Sequence, residues 1–244
     1  MNTDKHGFLS ACGMEVAKVF GRPCPSTGVL RRRFVISSIN LLVFLAATVG
    51  SGQAQVLYTN GFDKAELEKV PDDMLVLDGG FAVKEEGGNK FLELPGAPLE
   101  TFGVLFGPTE ASGLAVSARV QGTGKGRRFP TFAVGLNGVG GFKLQVAPAK
   151  KLVELVKGED VVGSAPFIWE SGSWTRLRLQ CRKVKDGEFK LEGKAWRQGE
   201  AEPKDWQISR AETAESPAGR ASAWGMPFAG TPIKFDDFVV TRAQ

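Results

Sequence analysis

Near its C-terminal end the chain reads Ile233-Lys234-Phe235-Asp236-Asp237-Phe238-Val239-Val240-Thr241-Arg242. Two adjacent carboxylates in a β-branched, aromatic run suggest an acid–base pair, an oxygen shell for a cation, or ion pairing on a strand. An acid–base pair needs both groups on one side of the backbone. Neighbours in a regular strand point to opposite faces, so a catalytic dyad of Asp236 and Asp237 is not expected. A calcium ion takes about six to eight oxygens from carboxylates and carbonyls. If the first and last strands lie side by side, Asn60-Gly61-Phe62-Asp63 approaches the C-terminal run. Asp63, Asp236 and Asp237 are then the candidate ligands of a structural calcium, and no other cofactor is expected.

A second constellation lies in Trp174-Thr175-Arg176-Leu177-Arg178-Leu179-Gln180-Cys181 and in Glu188-Phe189-Lys190-Leu191-Glu192-Gly193-Lys194-Ala195-Trp196. Val184-Lys185-Asp186-Gly187-Glu188 between them is a hairpin turn, which makes the two strands neighbours. Leu177, Leu179 and Cys181 then face a core, as do Phe189, Leu191 and Ala195. Trp174, Arg176, Arg178, Gln180, Lys190, Glu192, Lys194 and Trp196 share the other face. Planar aromatic and guanidinium groups beside hydrogen-bonding chains suit a sugar, with its apolar C–H faces and hydroxyl edges. Trp174, Arg176, Arg178, Gln180, Glu192, Lys194 and Trp196 are the candidate ligand contacts. The competing expectation is a solvated face of cross-strand ion pairs.

Composition removes other chemistries. Arg31-Arg32-Arg33, an apolar core from Phe34 to Gly50 and the small residues Gly52 and Ala54 have the layout of an export signal cleaved after Ala54. The arginine run also resembles a twin-arginine signal. The apolar core is shorter than the about 20 residues of a spanning helix and contains Ser37, Ser38 and Asn40. The expectation is a leader over 1–54, one domain over 55–244, a periplasmic or extracellular address, and no membrane span after cleavage.

Six of the 31 basic residues and two of the 27 acids lie in that leader, which leaves 25 of each. Without net positive charge the remainder has no electrostatic basis for nucleic-acid binding. The single histidine, His6, belongs to the leader, and Cys181 is the one cysteine left. Residues 55–244 therefore hold no Ser–His–Asp or Cys–His machinery, no histidine-based zinc site and no internal disulfide. The glycine-rich Gly122-Thr123-Gly124-Lys125-Gly126 and Asn137-Gly138-Val139-Gly140-Gly141 do not match a phosphate-binding loop and read as turns.

The elements that must position these residues are strands. Period-2 alternation recurs in 113–122, 129–137 and 141–147 and in the two runs above, separated by turn sequences rich in Gly, Asn and Asp. Many short alternating strands imply an all-β sandwich or barrel. Asp63 to Val70 is the one expected helical turn, and Arg210 to Ser222 reads as a surface loop.

The order of the opening Leu57-Tyr58-Thr59-Asn60-Gly61-Phe62-Asp63, the hairpin pair over 141–166, the tryptophan-led strands over 171–198 and the closing Ile233–Thr241 run resembles the concanavalin A-like lectin/glucanase superfamily, including laminin G-like modules of secreted bacterial proteins. The resemblance spans about residues 56–242. It implies a two-sheet antiparallel β-sandwich of jelly-roll type and a glycan or cell-surface partner. The hydrolases of that superfamily carry a Glu-x-Asp-x-x-Glu strand, which this chain lacks. Glu66, Glu68, Asp72 and Asp73 are wrongly spaced, Glu159-Asp160 sits in a turn, and Glu200 and Glu202 lie in a loop. Non-catalytic binding is therefore expected over glycoside hydrolysis, with a structural or assembly role in the envelope as the third reading.

Overall fold

The computed structural model describes residues 54–97, 100–213 and 217–243. The leader features lie outside these residues, apart from Ala54. Fifteen strands follow one another: β1 (Val56–Asn60), β2 (Leu75–Asp78), β3 (Ala82–Glu86), β4 (Asn89–Leu94), β5 (Phe102–Glu110), β6 (Leu114–Gln121), β7 (Thr131–Leu136), β8 (Phe142–Ala147), β9 (Leu152–Lys157), β10 (Asp160–Pro166), β11 (Trp174–Lys185), β12 (Glu188–Arg197), β13 (Ile208–Glu212), β14 (Gly219–Met226) and β15 (Ile233–Arg242). The one helical element among the described residues is a 3-10 turn at Pro148–Lys150.

The strands form two antiparallel sheets. The first has the order β13-β12-β11-β6-β15-β4-β3, with β1 paired to the far end of β15. The second has the order β10-β9-β8-β7-β14-β5-β2. The expected β-sandwich is thus the observed architecture. The first and last strands do pair, with Asn60 opposite Phe238.

Alternation explains the packing. In β6, Leu114, Val116, Ala118 and Val120 are buried inward, and the intervening positions face away. Between the sheets, Phe106 of β5 stacks on Phe238 of β15 with ring centroids 4.2 Å apart. Each such fully buried phenylalanine contributes about 1.5–3 kcal/mol of transfer free energy. Cys181 is buried in the same core. At the β3–β4 hairpin Gly87 and Gly88 both have positive φ, which the tight turn between Glu86 and Asn89 demands.

Two local expectations are corrected. Asp63 to Val70 is not helical. Phe62 and Glu68 have φ of 61° and 63°, which a right-handed helix cannot accommodate. The Glu68 amide donates to the Val83 carbonyl instead, which pins this segment to β3. Arg210 to Ser222 is not one loop, since its ends belong to β13 and β14. β13 is an edge strand with little buried surface, so it shows no apolar alternation.

Candidate functional site

Cross-strand register brings the expected sugar-contact residues together. Arg176 lies opposite Trp196, Arg178 opposite Lys194 and Gln180 opposite Glu192. The face is nevertheless closed by its own chain. Glu202, from the segment between β12 and β13, accepts from Arg178 at 3.0 Å and sits 2.9 Å from Lys194. Lys194 also donates to the Pro203 carbonyl and lies 4.6 Å over the Trp206 ring. Glu192 is held by Gln180 at 2.7 Å, Lys190 at 2.7 Å and Arg182 at 3.0 Å. Gln180, Glu192, Lys194 and Trp196 are buried. Trp196 lines a recess of about 250 Å³ with Phe167, Ile168 and Pro203. The open face expected from alternation is an ion-paired layer under the 198–207 segment. Alternation reports which side a residue faces, not what the next loop lays over it.

Trp174 and Arg176 stand at the other end of this face. The Arg119 guanidinium lies 4.7 Å over the Trp174 ring, and Lys234 lies 4.8 Å over Phe91. These four, with Gln121, line a cleft of about 360 Å³. Both cations already have carboxylates. Lys234 pairs with Glu86. Arg119 pairs with Asp236 at 2.5 Å and with Asp237 at 3.3 Å.

The three aspartates named for calcium do not form an oxygen shell. Asp236 is buried, and its carboxylate accepts from Arg119, from Asn89 at 3.0 Å and from the Asp237 amide at 2.7 Å. Asp237 accepts from Arg176 at 2.9 Å. Asp63 does approach: a Cβ built on Gly61 would lie 3.7 Å from an Asp63 oxygen and 3.9 Å from an Asp237 oxygen. The guanidiniums of Arg119 and Arg176 already pair with Asp236 and Asp237, so the donor set does not fit calcium. Among the described residues no group of three or more His, Cys, Asp or Glu is gathered for a metal.

The outward face of the second sheet carries a larger cleft of about 440 Å³ that the alternation did not single out. It is built on β14, whose inward residues are unusually small. Ala221 and Ala223 are buried in the core, and Gly225 meets Leu94, Ile233 and Phe235. The bulky residue of this strand, Trp224, points outward. Its register partners are Gly103 on β5 and Ala133 on β7. A Cβ on Gly103 would come within 2.6 Å of the indole, so the ring lies down on this glycine. The indole N–H donates to the Ser222 hydroxyl at 2.8 Å.

Next to it, β8 supplies Lys143 and Gln145. Lys143 is opposite Gly135 of β7, which lets the lysine stem cross towards β14. Its ammonium sits 3.7 Å from the centre of the Trp224 ring. Burial pushes the Lys143 ammonium below the usual lysine range. No carboxylate stands at ion-pair distance from it among the described residues. Glu154 of β9 is the buried carboxylate of the floor. Lys150 donates to it at 2.9 Å, and Gln145 approaches it at 3.5 Å. Val139 and Val161 are exposed at the rim. The result is a concave surface with an aromatic base, fixed hydrogen-bonding groups and apolar edges.

Solved structures of similar shape bear on this arrangement. The chain superposes on the metal-free carbohydrate recognition domain of Emp46p with a TM-score of 0.56 and 11% identity, covering 76% of this chain and 95% of that one. It superposes on a Bacillus subtilis protein of unknown function with a galectin-like fold at a TM-score of 0.52 and 13% identity, over 78% and 96%. A xylan β-1,4-xylosidase from Bacillus halodurans C-125 matches at 0.53 and 14%, over 75% of this chain and 39% of the enzyme. The likeness is one of fold: a lectin-like β-sandwich. No protein-family model matches the sequence, and no curated protein does.

Proposed function

We propose that residues 55–244 form an exported, non-catalytic saccharide-binding domain of the concanavalin A-like lectin/glucanase superfamily, akin to its laminin G-like modules. The ligand lies in the Trp224 cleft. The observation that carries this reading is the contrast between the two sheet faces. On the first sheet the charged side chains pair with one another, at one end beneath a covering segment and at the other around Asp236, Asp237 and Glu86. On the second, a cleft leaves Thr101 exposed and Gln145 and Lys143 partly exposed above the buried Trp224 ring. The fold supports it, since similar sandwiches include a carbohydrate recognition domain.

Hydrolysis is the weaker reading. Glycosidases need two carboxyl groups flanking the scissile bond. Of the two acids lining the cleft, Glu154 is tied to Lys150, and Glu159 stands exposed on the β9–β10 turn. The export signal supports a periplasmic or extracellular address, where glycans and cell-surface components are available partners. Among the described residues no helix is long and apolar enough to cross a membrane.

The test is a glycan array with the purified 55–244 chain, followed by calorimetry on the best ligand. Gln145→Ala should weaken binding about tenfold, the worth of one or two hydrogen bonds. Trp196→Ala should leave it unchanged. No saccharide bound at millimolar concentration would sink the proposal. Turnover of a bound saccharide would replace it with the enzymatic reading.

A further inference from the structure

The charges of the Trp224 cleft balance in number but are not all paired in space. Its lining carries two lysines, Lys143 and Lys150, and two acids, Glu154 and Glu159. Lys150 and Glu154 neutralise each other at 2.9 Å. Glu159 is at an exposed hairpin turn and forms no ion pair with Lys143. Lys143 is left as a half-covered ammonium whose contact is the indole face. A surface lysine normally extends its head to water while its stem covers apolar surface. This one instead lies across Gly135 onto Trp224, with burial lowering its proton affinity. The ring returns part of the desolvation cost but supplies no counter-charge.

We infer that the cleft selects acidic saccharides, with Lys143 receiving the anionic group of a uronate or sulfated sugar ring. This rests on the saccharide-binding reading above and names its ligand class. Trp224 is then a positioning residue that holds the ammonium in place, because the lysine already covers the ring that a neutral sugar would stack on. Gln145 and Thr101 remain beside it for hydroxyl groups. A cation fixed before binding loses little side-chain freedom when the anion arrives, so the charge contact is retained almost in full.

The experiment is calorimetry of the 55–244 chain against oligomers of galacturonate, glucuronate and mannuronate, their uncharged methyl esters, sulfated galactose oligomers and the neutral parent oligosaccharides. At least one acidic oligomer should bind about tenfold or more tightly than its uncharged counterpart, with the difference shrinking as salt is raised. Lys143→Gln should abolish that difference, and Lys143→Arg should keep it. Preference for the uronates or for the sulfated sugars tells which anion is read, and either supports the inference. Equal affinity for acidic and neutral sugars, or a preference that survives in Lys143→Gln, overturns it and leaves saccharide binding standing. Binding of none of these overturns the inference, and the glycan array above decides separately whether the chain binds any saccharide.

Discussion

Asp236 and Asp237 point to the same side of β15, and both carboxylates reach Arg119. Adjacent residues of a regular strand cannot do this. Between Asp236, opposite Arg119, and Val239, opposite Ser117, β15 spends one residue more than β6. Asp237 absorbs the extra residue with a φ of 52°. This is a β-bulge, and aspartate is one of the few side chains that tolerate that conformation. The bulge shifts the phase of the strand, so Phe235 and Phe238 are both fully buried although three positions apart.

The two acids should therefore respond differently to substitution. Asp236→Ala leaves a mostly buried guanidinium short of its main partner and should cost about 3 kcal/mol in urea unfolding. At position 237 the backbone matters more. Asp237→Gly fits the positive φ and should be nearly neutral, whereas Asp237→Val should cost about 1–2 kcal/mol more than the glycine variant. Equal stability of the glycine and valine variants would mean that no bulge is present in solution.

The same contrast explains what could be read from the sequence. β6, β7, β8, β11 and β12 are legible from their alternation, but the pairing of Arg178 with Lys194 is not: the two-residue turn sets Lys185 opposite Glu188, and a register shift between Lys183 and Lys185 then moves the ladder by one residue. β15 was legible as a strand but not in phase, because one bulged residue leaves either face equally apolar. β14 was invisible: its core side is Ala221, Ala223 and Gly225, which carry little hydrophobic signal, and its large residue faces outward. The candidate site was missed for that reason. In the sequence Lys143 and Gln145 alternate with Phe142, Leu144 and Val146 as the outward side of β8, and only three-dimensional register sets them beside Trp224.

Gly103 tests whether that register is what seats the indole. Gly103→Ala places a methyl group where the Trp224 ring now lies and should cost about 1–3 kcal/mol by overpacking. It should also shift the Trp224 indole N–H resonance and weaken saccharide binding, with the other four tryptophan indoles unmoved. An unchanged Trp224 resonance would mean that the ring does not rest on this glycine.

Acid should weaken the fold through Glu192. Burial alone would raise its pKa, but hydrogen bonds from Lys190, Gln180 and Arg182 outweigh it and hold the carboxyl below the ordinary value of 4.5. A carboxyl depressed in the folded state gives stability that is fully present above its unfolded pKa and disappears as pH falls through the folded one. Glu192→Gln should therefore cost about 2 kcal/mol at pH 7, and the gap to wild type should narrow as pH falls below the ordinary carboxylate range. A gap that stays constant from pH 7 to pH 3 would remove the ionised carboxylate from the account.

The N-terminal boundary can be checked independently of any ligand. The Arg242 amide donates to the Gln55 carbonyl at 2.9 Å, and β1 starts at Val56, so backbone pairing reaches the residue next to the expected cleavage point. Cleavage after Ala54 would release a chain that keeps this bond and the whole β1–β15 pairing. Expression of the full sequence in a Gram-negative host should place the protein in the periplasmic or culture fraction, with an intact mass that begins at Gln55. A cytoplasmic protein retaining Arg31–Arg33 would rule out export. A mature end at or beyond Asn60 would remove β1 and should also lower stability, since Tyr58 packs against Phe106 in the core with ring centroids 5.6 Å apart.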